Sequence, residues 1–241
     1  VKVLAFDTST PSTVVGLLGA DGIACELCDR RGVGERPGHQ QQLLALAVRL
    51  LEAAGLGFGD LDRIAVGVGP GTYTGLRVGV ASARGIAQAL GLELVGVSSL
   101  AALAYSLEPA QGQAVLTLTD ARRGELFAAL YLPGGEDRPP QELLAPRPLV
   151  PAALPGLIGE ALGLCAGPVV AAGDLAESFG ELLGAHGIAN LGPSLLGGGA
   201  LAKLGALAQP QPLQAVVPDY RRPADAERAA AAGPFAVVAR R

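Results

Sequence analysis

The chain has 241 residues, 50% of them hydrophobic, which is enough to bury one large core or two modest ones. Its formal charge of −4, with basic residues clustered only in pairs such as Arg122-Arg123 and Arg221-Arg222, speaks against unaided nucleic-acid binding. No apolar run approaches the ~18 residues of a membrane span, and no basic region leads into a hydrophobic segment at the start, so a globular cytoplasmic protein is expected.

The first predicted strand, Val1 to Phe6, ends at Asp7; after the turn Thr8 to Ser12 a second strand runs from Thr13 to Leu18. A third, Ile23 to Cys28, follows the turn Ala20-Asp21-Gly22 and completes a meander. Cys25 and Cys28 form a C-x-x-C, but on a strand side chains three apart point to opposite faces, so redox or zinc chemistry is not expected of them. Neither Cys165 nor the two distant histidines, His39 and His186, adds a metal-binding pattern.

A glycine and proline loop, residues 32 to 38, precedes a helix predicted over His39 to Ala54. Leu43, Leu46, Ala47, Leu50 and Ala54 form the stripe that packs on a sheet, while Leu44, Val48 and Leu51 form a second stripe rotated by roughly 100°. Ile64 to Val68 is a buried strand, Gly69, Pro70, Gly71 and Thr72 a turn, and a helix opens near Thr74 or Gly75 and runs to Leu90. Such a turn leaves backbone N–H groups free for an anion or another chain. It lacks G-x-x-x-x-G-K-[ST], and Pro70 breaks a dinucleotide fingerprint, so tight helix–sheet packing explains the glycines equally well. On this helix Leu76, Val80, Ala83, Ile86 and Leu90 are expected to face the sheet, and Val78, Ala81 and Gly85 leave a smooth opposite face. Two helices with spare apolar or small-residue faces suggest half of a four-helix interface with a second subunit.

After the midpoint the opening figure recurs. Ala114 to Thr119 reads as a strand, Asp120 ends it, Ala121 to Gly124 turns, and Glu125 to Tyr131 returns. A Pro-rich connection, Pro133 to Pro155, leads to a helix Gly156 to Leu164, a strand Val169 to Ala172, a turn Gly173-Asp174, a helix Leu175 to His186 and shorter helices at Ala200 to Ala208 and Ala224 to Ala232. Two meanders, each with Asp at the tip, predict a duplicated α/β architecture of the actin-like ATPase (RNase H-like) kind. Its lobes are 1–106, with the interface helices, and 107–241, whose last helix packs back on the first lobe.

Five stretches carry a family resemblance: FDTST at Phe6 to Thr10, GVGPGTYTGLRVGVASARGIA at Gly67 to Ala87, LVGVSSLAALA at Leu94 to Ala104, TDARRGELFAALY at Thr119 to Tyr131 and PDYRR at Pro218 to Arg222. The chain resembles the TsaB (YeaZ) family, glycoprotease-like paralogues of the TsaD threonylcarbamoyltransferases. The resemblance implies an actin-like fold without independent catalysis. Catalytic relatives carry H-x-x-x-H where this chain has Ser99 and Leu103, so the metal site they use is not expected here. It also implies TsaD and the ATPase TsaE as partners in placing threonylcarbamoyl on the adenosine next to the anticodon, a homodimer when the partner is missing, tRNA contact only within the complex, and ATP or ADP at the interface with TsaD. The alternative is a stand-alone nucleotide-hydrolysing or sugar-kinase-like enzyme of the same fold.

No catalytic residue and no metal ligand is therefore assigned. Asp7, Gly69, Gly71, Thr72 and Asp120 are the candidate nucleotide contacts, weighed against Asp caps of tight turns and an ordinary Thr helix cap. Leu44, Val48, Leu51, Val78, Ala81 and Gly85 are the candidate partner surface. Arg122, Arg123 and Glu125 flank a hairpin turn and read as a solvated face, with Arg123 a further candidate contact to partner or RNA.

Overall fold

A computed structural model describes residues 1–31, 35–107, 112–135, 137–192 and 194–221. In the first half, β1 (Val3–Asp7), β2 (Thr13–Leu18) and β3 (Ala24–Asp29) form an antiparallel meander, and α1 (His39–Ala53) leads to β4 (Arg63–Gly69), which pairs in parallel with β1. Helix α2 (Tyr73–Leu90), β5 (Glu93–Ser98) and α3 (Ser99–Tyr105) follow, with β5 parallel to β4.

The second half repeats the plan. β6 (Ala114–Arg122), β7 (Glu125–Leu132) and β8 (Gln141–Leu149) are the meander; α4 (Leu154–Leu164), β9 (Val169–Ala172), α5 (Gly180–Ala185) and β10 (Ala189–Asn190) complete it, and α6 (Gly198–Leu207) follows. Strand order is β3-β2-β1-β4-β5 in one sheet and, read from the same edge, β8-β7-β6-β9-β10 in the other. An identical order with identical strand directions in both sheets is the duplicated actin-like architecture.

Both faces of the first sheet are covered, which is why β1 and β2 are apolar throughout. Alternation sends Leu4 and Phe6 to the face packed by α1 and α2, and Val3 and Ala5 to the face packed by α6. Each such fully buried large side chain stabilises the fold by about 2 kcal/mol. Helix α3 lies between the lobes: Ala102 and Leu103 join the core of the first sheet, and Leu100 and Ala104 that of the second.

Helix α6 comes from the second half yet packs on the first sheet. A Cβ on Gly16 of β2 would meet the Gly198 carbonyl oxygen at 1.9 Å, so backbone touches backbone where α6 begins. Its other end is held by Arg63, whose Nη1 donates to the carbonyls of Gly205, Ala206 and Ala208 at 2.8, 3.1 and 3.0 Å. The Arg63 guanidinium also pairs with Glu93 at 2.5 Å.

Several expectations need correction. The Pro-rich connection contains strand β8, whose Pro146 and Pro148 are tolerated because it is an edge strand paired irregularly with β7. The helix expected over Leu175 to His186 is broken: a single 3-10 turn, Glu177–Phe179, precedes α5, and the chain leaves helical geometry at Phe179, with φ −111° and ψ 16°. Strand β6 continues through Asp120, and only Arg123-Gly124 makes the turn, with φ of 66° and 56° at Arg122 and Arg123. In the first half Ala54 and Leu90 are exposed, and Ala87 takes the buried place on α2. The helix expected at Ala224 to Ala232 lies outside the described residues.

Candidate functional site

The two hairpin tips face each other across the lobes. Asp7 ends β1 and is 1% exposed. Its Oδ1 accepts from the Ser9 amide at 2.8 Å and the Ser9 hydroxyl at 2.6 Å, and its Oδ2 accepts from the Ser99 hydroxyl at 2.6 Å. The Ser99 oxygen in turn accepts from the Gly69 amide at 3.2 Å. A Cβ on Gly67 would lie 1.8 Å from Asp7 Oδ2, so only glycine lets the carboxylate rest against β4. Burial pushes the Asp7 carboxyl above its ordinary range, against the opposing Ser9 and Ser99 hydrogen bonds.

Asp120 repeats the local geometry. Its Oδ1 accepts from the Arg122 amide at 2.7 Å, the same two-residue turn bond that Asp7 makes to Ser9. Its surroundings differ: Arg122 Nη1 lies 3.4 Å from Asp120 Oδ2, and the Asp120 amide donates to Asp174 Oδ1 at 3.0 Å. Asp174 is pushed up chiefly by burial, against the hydrogen bond from the Asp120 amide, while the Asp120 charge adds a smaller push upward.

Between the tips a cleft of about 20 Å³ is lined by residues including Ser9, Thr10, Gly71, Ser99, Asp120 and Asp174. That is room for about one water. Of the five candidate nucleotide contacts, Gly71 and Asp120 line this cleft, whereas Asp7 is sealed among its serine partners. Gly69 sits at φ 108° with its amide on Ser99, and Thr72 borders a different groove. Thr72 is the residue that caps α2, without a side-chain hydrogen bond.

Ser99 and Leu103, the two positions compared with metal-binding histidines, are both occupied structurally. Ser99 bridges Asp7 and Gly69, and Leu103 is 2% exposed in the first core. Among the described residues no group of three His, Cys, Asp or Glu side chains is arranged to hold a metal ion. Cys25 and Cys28 are unbridged on β3, and among the described residues no helix is long and apolar enough to cross a membrane.

The six candidate partner-surface residues differ in exposure. Leu44 and Val48 on α1 are 51% and 41% exposed, Ala81 and Gly85 on α2 are exposed, and Val78 is half-buried. Leu51 is not exposed: at 2% exposure it belongs to the core cluster that also takes in Leu56, Phe58 and Leu61 beyond α1. Helical spacing could not show this, because that cluster draws residues from beyond the helix.

Sequence reasoning missed the roles of Ser9, Ser99, Asp174 and His39. Asp174 carried a signal, since it follows a strand-ending glycine in the second half, but its partner Asp120 is 54 residues away. His39 begins α1 at 4% exposure, with Nδ1 2.9 Å from the Thr13 hydroxyl.

The sequence profile of the TsaD family, tRNA N6-adenosine threonylcarbamoyltransferase, matches residues 35–152. An uncharacterized protein of Mycobacterium tuberculosis is 39% identical over 135 residues, 55% of this chain and 60% of that protein. The tRNA threonylcarbamoyladenosine biosynthesis protein TsaB of Escherichia coli is 34% identical over 134 residues, 54% of this chain and 55% of that protein. In three dimensions YeaZ from Pseudomonas aeruginosa superposes with a TM-score of 0.72 at 26% identity, covering 90% of this chain and all of that one. In sequence and in fold the chain is similar to TsaB (YeaZ) proteins. The sequence matches span 55 to 60% of the length of the two curated relatives named here.

Proposed function

We propose that the chain is the non-catalytic partner of a TsaD-type transferase in forming threonylcarbamoyladenosine on tRNA. The observation that carries the reading is the set of exposed apolar or small positions on α1 and α2, Leu44 and Val48 on the first and Ala81 and Gly85 on the second. A helix pair with one face in its own core and a second apolar face in solvent is suited to a four-helix interface. TsaD, with the ATPase TsaE joining the assembly, is the proposed occupant, and a second copy takes the same face when TsaD is absent. ATP or ADP is proposed to bind only at the interface with TsaD, and tRNA only to the complex.

Ser99 and Leu103 support the non-catalytic part of the reading, because one hydroxyl and one leucine supply no metal ligand set. A stand-alone nucleotide hydrolase is less well served by a cleft of about 20 Å³. The test is Val48→Arg, which places a charge at the centre of the proposed interface but on an exposed monomer position. The variant should keep its circular dichroism spectrum and lose TsaD capture in a pull-down, with homodimer mass lost in light scattering; association should weaken by several kcal/mol. A folded Val48→Arg chain that still captures TsaD would sink the proposal, and magnesium-dependent ATPase turnover by the isolated chain would favour the hydrolase.

A further inference from the structure

Beyond α6 the chain runs as a strap, residues 208–221, along the β5 edge of the first sheet. The Gln211 amide donates to the Leu94 carbonyl at 2.9 Å, and its side-chain oxygen accepts from the Gly96 amide at 3.1 Å, so the edge strand is capped. Val216, 1% exposed, plugs the first core, and Arg84 Nε of α2 donates to the Leu213 carbonyl at 2.6 Å. This part of the strap is built into the fold.

Residues 219–221 are fastened differently. The register between β4 and β5 shifts between Gly67 and Gly69, so Val68 has no partner on β5 and its carbonyl takes the Asp219 amide at 2.7 Å. Tyr220 stacks on Tyr73 with ring centroids 4.9 Å apart, and its hydroxyl accepts from Arg77 Nε at 3.0 Å. The Arg77 guanidinium also lies 4.4 Å over the Tyr73 ring. Tyr73 and Tyr220 are 42% and 43% exposed, so this stack can part without uncovering the core, which Val216 cannot.

Val68 and Tyr73 flank the turn of residues 69–72, whose Pro70 and Gly71 form one wall of the cleft between the hairpin tips. The turn is closed against the first tip by the Thr72 amide, which donates to the Ser9 carbonyl at 2.8 Å; a Cβ on Gly71 would meet that same oxygen at 2.4 Å. With glycine at two of its four positions, such a turn has wide backbone freedom, and its place is set by what holds its two ends.

We propose that residues 219–221 are a releasable clasp on the cleft: while Asp219 holds Val68 and Tyr220 holds Tyr73, the turn stays against Ser9 and the cleft stays shut. When Tyr220 leaves Tyr73, the turn moves off Ser9 and the cleft opens, its glycines absorbing the change in backbone angle. The upstream strap remains in place through Val216 and Gln211, so release is local. The clasp lies within this chain and does not rest on the proposed partner.

The test reads cleft access by iodoacetamide labelling of the full chain. In a background carrying Cys25→Ser, Cys28→Ser and Cys165→Ser, Thr119→Cys puts a reporter at the cleft, where the native side chain is 8% exposed. In a separate chain of the same background, Ala161→Cys puts one in the second core. Adding Tyr220→Ala should quicken labelling of the cleft reporter about tenfold or more and leave the core reporter at its background rate. Tyr220→Phe, which keeps the stack and loses the hydroxyl, should fall between, and Arg147→Met on the surface of the second lobe should change neither rate. Unchanged cleft labelling in folded Tyr220→Ala overturns the proposal, as does equal acceleration at both reporters, which would mean a general loosening of the fold. Circular dichroism reports folding; if Tyr220→Ala does not fold, Tyr220→Phe combined with Arg77→Gln decides by the same two rates.

Discussion

The tips of the two hairpins start from one local device and end in different environments. Asp7 and Asp120 each accept a backbone amide two residues on, the bond that closes their turns. Asp7 is then sealed by Ser9, Ser99 and a glycine on the neighbouring strand, with His39 near enough to act on its charge. Asp120 stays beside Arg122 and within reach of Asp174 at the cleft. A repeated turn does not imply a repeated function: what surrounds the carboxylate decides whether it is a structural acceptor or a group still open to a ligand.

The largest break in that contrast should come from Gly67→Ala. The added methyl would overlap Asp7 Oδ2, which cannot swing away without abandoning Ser99, so a loss of more than about 3 kcal/mol is expected in urea unfolding. On the second lobe Gly159→Ala, in mid-α4 with open space around its Cβ, should instead gain roughly 0.5–1 kcal/mol. Equal effects at the two sites would remove the close-approach argument.

Arginine pairs sharpen the comparison next. Arg63→Met leaves the Gly205, Ala206 and Ala208 carbonyls without their shared donor and should cost about 3 kcal/mol, loosening α6. Arg147 pairs with Glu160 on the surface, each side chain 45% exposed, and Arg147→Met should cost less than about 1 kcal/mol. Hydrogen exchange of the α6 amides should rise only in the Arg63 variant.

The smallest effect is in pH dependence. Because burial raises the folded-state pKa of Asp7 above 3.8, its folded form holds a proton where the unfolded chain has released it. The stability it contributes is fully present below 3.8 and is lost as pH rises through the folded value. Asp7→Asn, whose amide oxygen can still accept from Ser9, should flatten the fall of Tm with rising pH. Asp174→Asn should act with the same sign, since Asp174 is also raised. A wild-type slope in Asp7→Asn would place the titration elsewhere. His39 has the opposite sign: burial lowers its pKa below 6.5, so it disfavours the folded state as pH falls below that value.

Much of the fold was legible because its signals are local. Alternation and continuous apolar runs marked β1, β2, β4 and β9, the three-and-four spacing marked α1 and α2, and the recurrence of strand, Asp and turn exposed the duplication. Strand β8 was hidden by its prolines, which only an edge position excuses. Of the site, Asp7 and Asp120 were legible as turn caps, while Ser99 was visible only as a position lacking histidine, because its bond to Asp7 spans 92 residues.

By itself the sequence determined most of the strands and helices, that the plan is repeated, and which helix faces carry apolar side chains, since periodicity and turn chemistry act over a few residues. Only the tertiary structure decided that Leu51 is covered while Val48 is not, and that α6 returns to the first sheet through the contact of Gly16 with Gly198. It alone brought Tyr220 to Tyr73 and Arg77. Those outcomes depend on how closely separate layers approach, and that distance is set by packing among residues far apart in the chain.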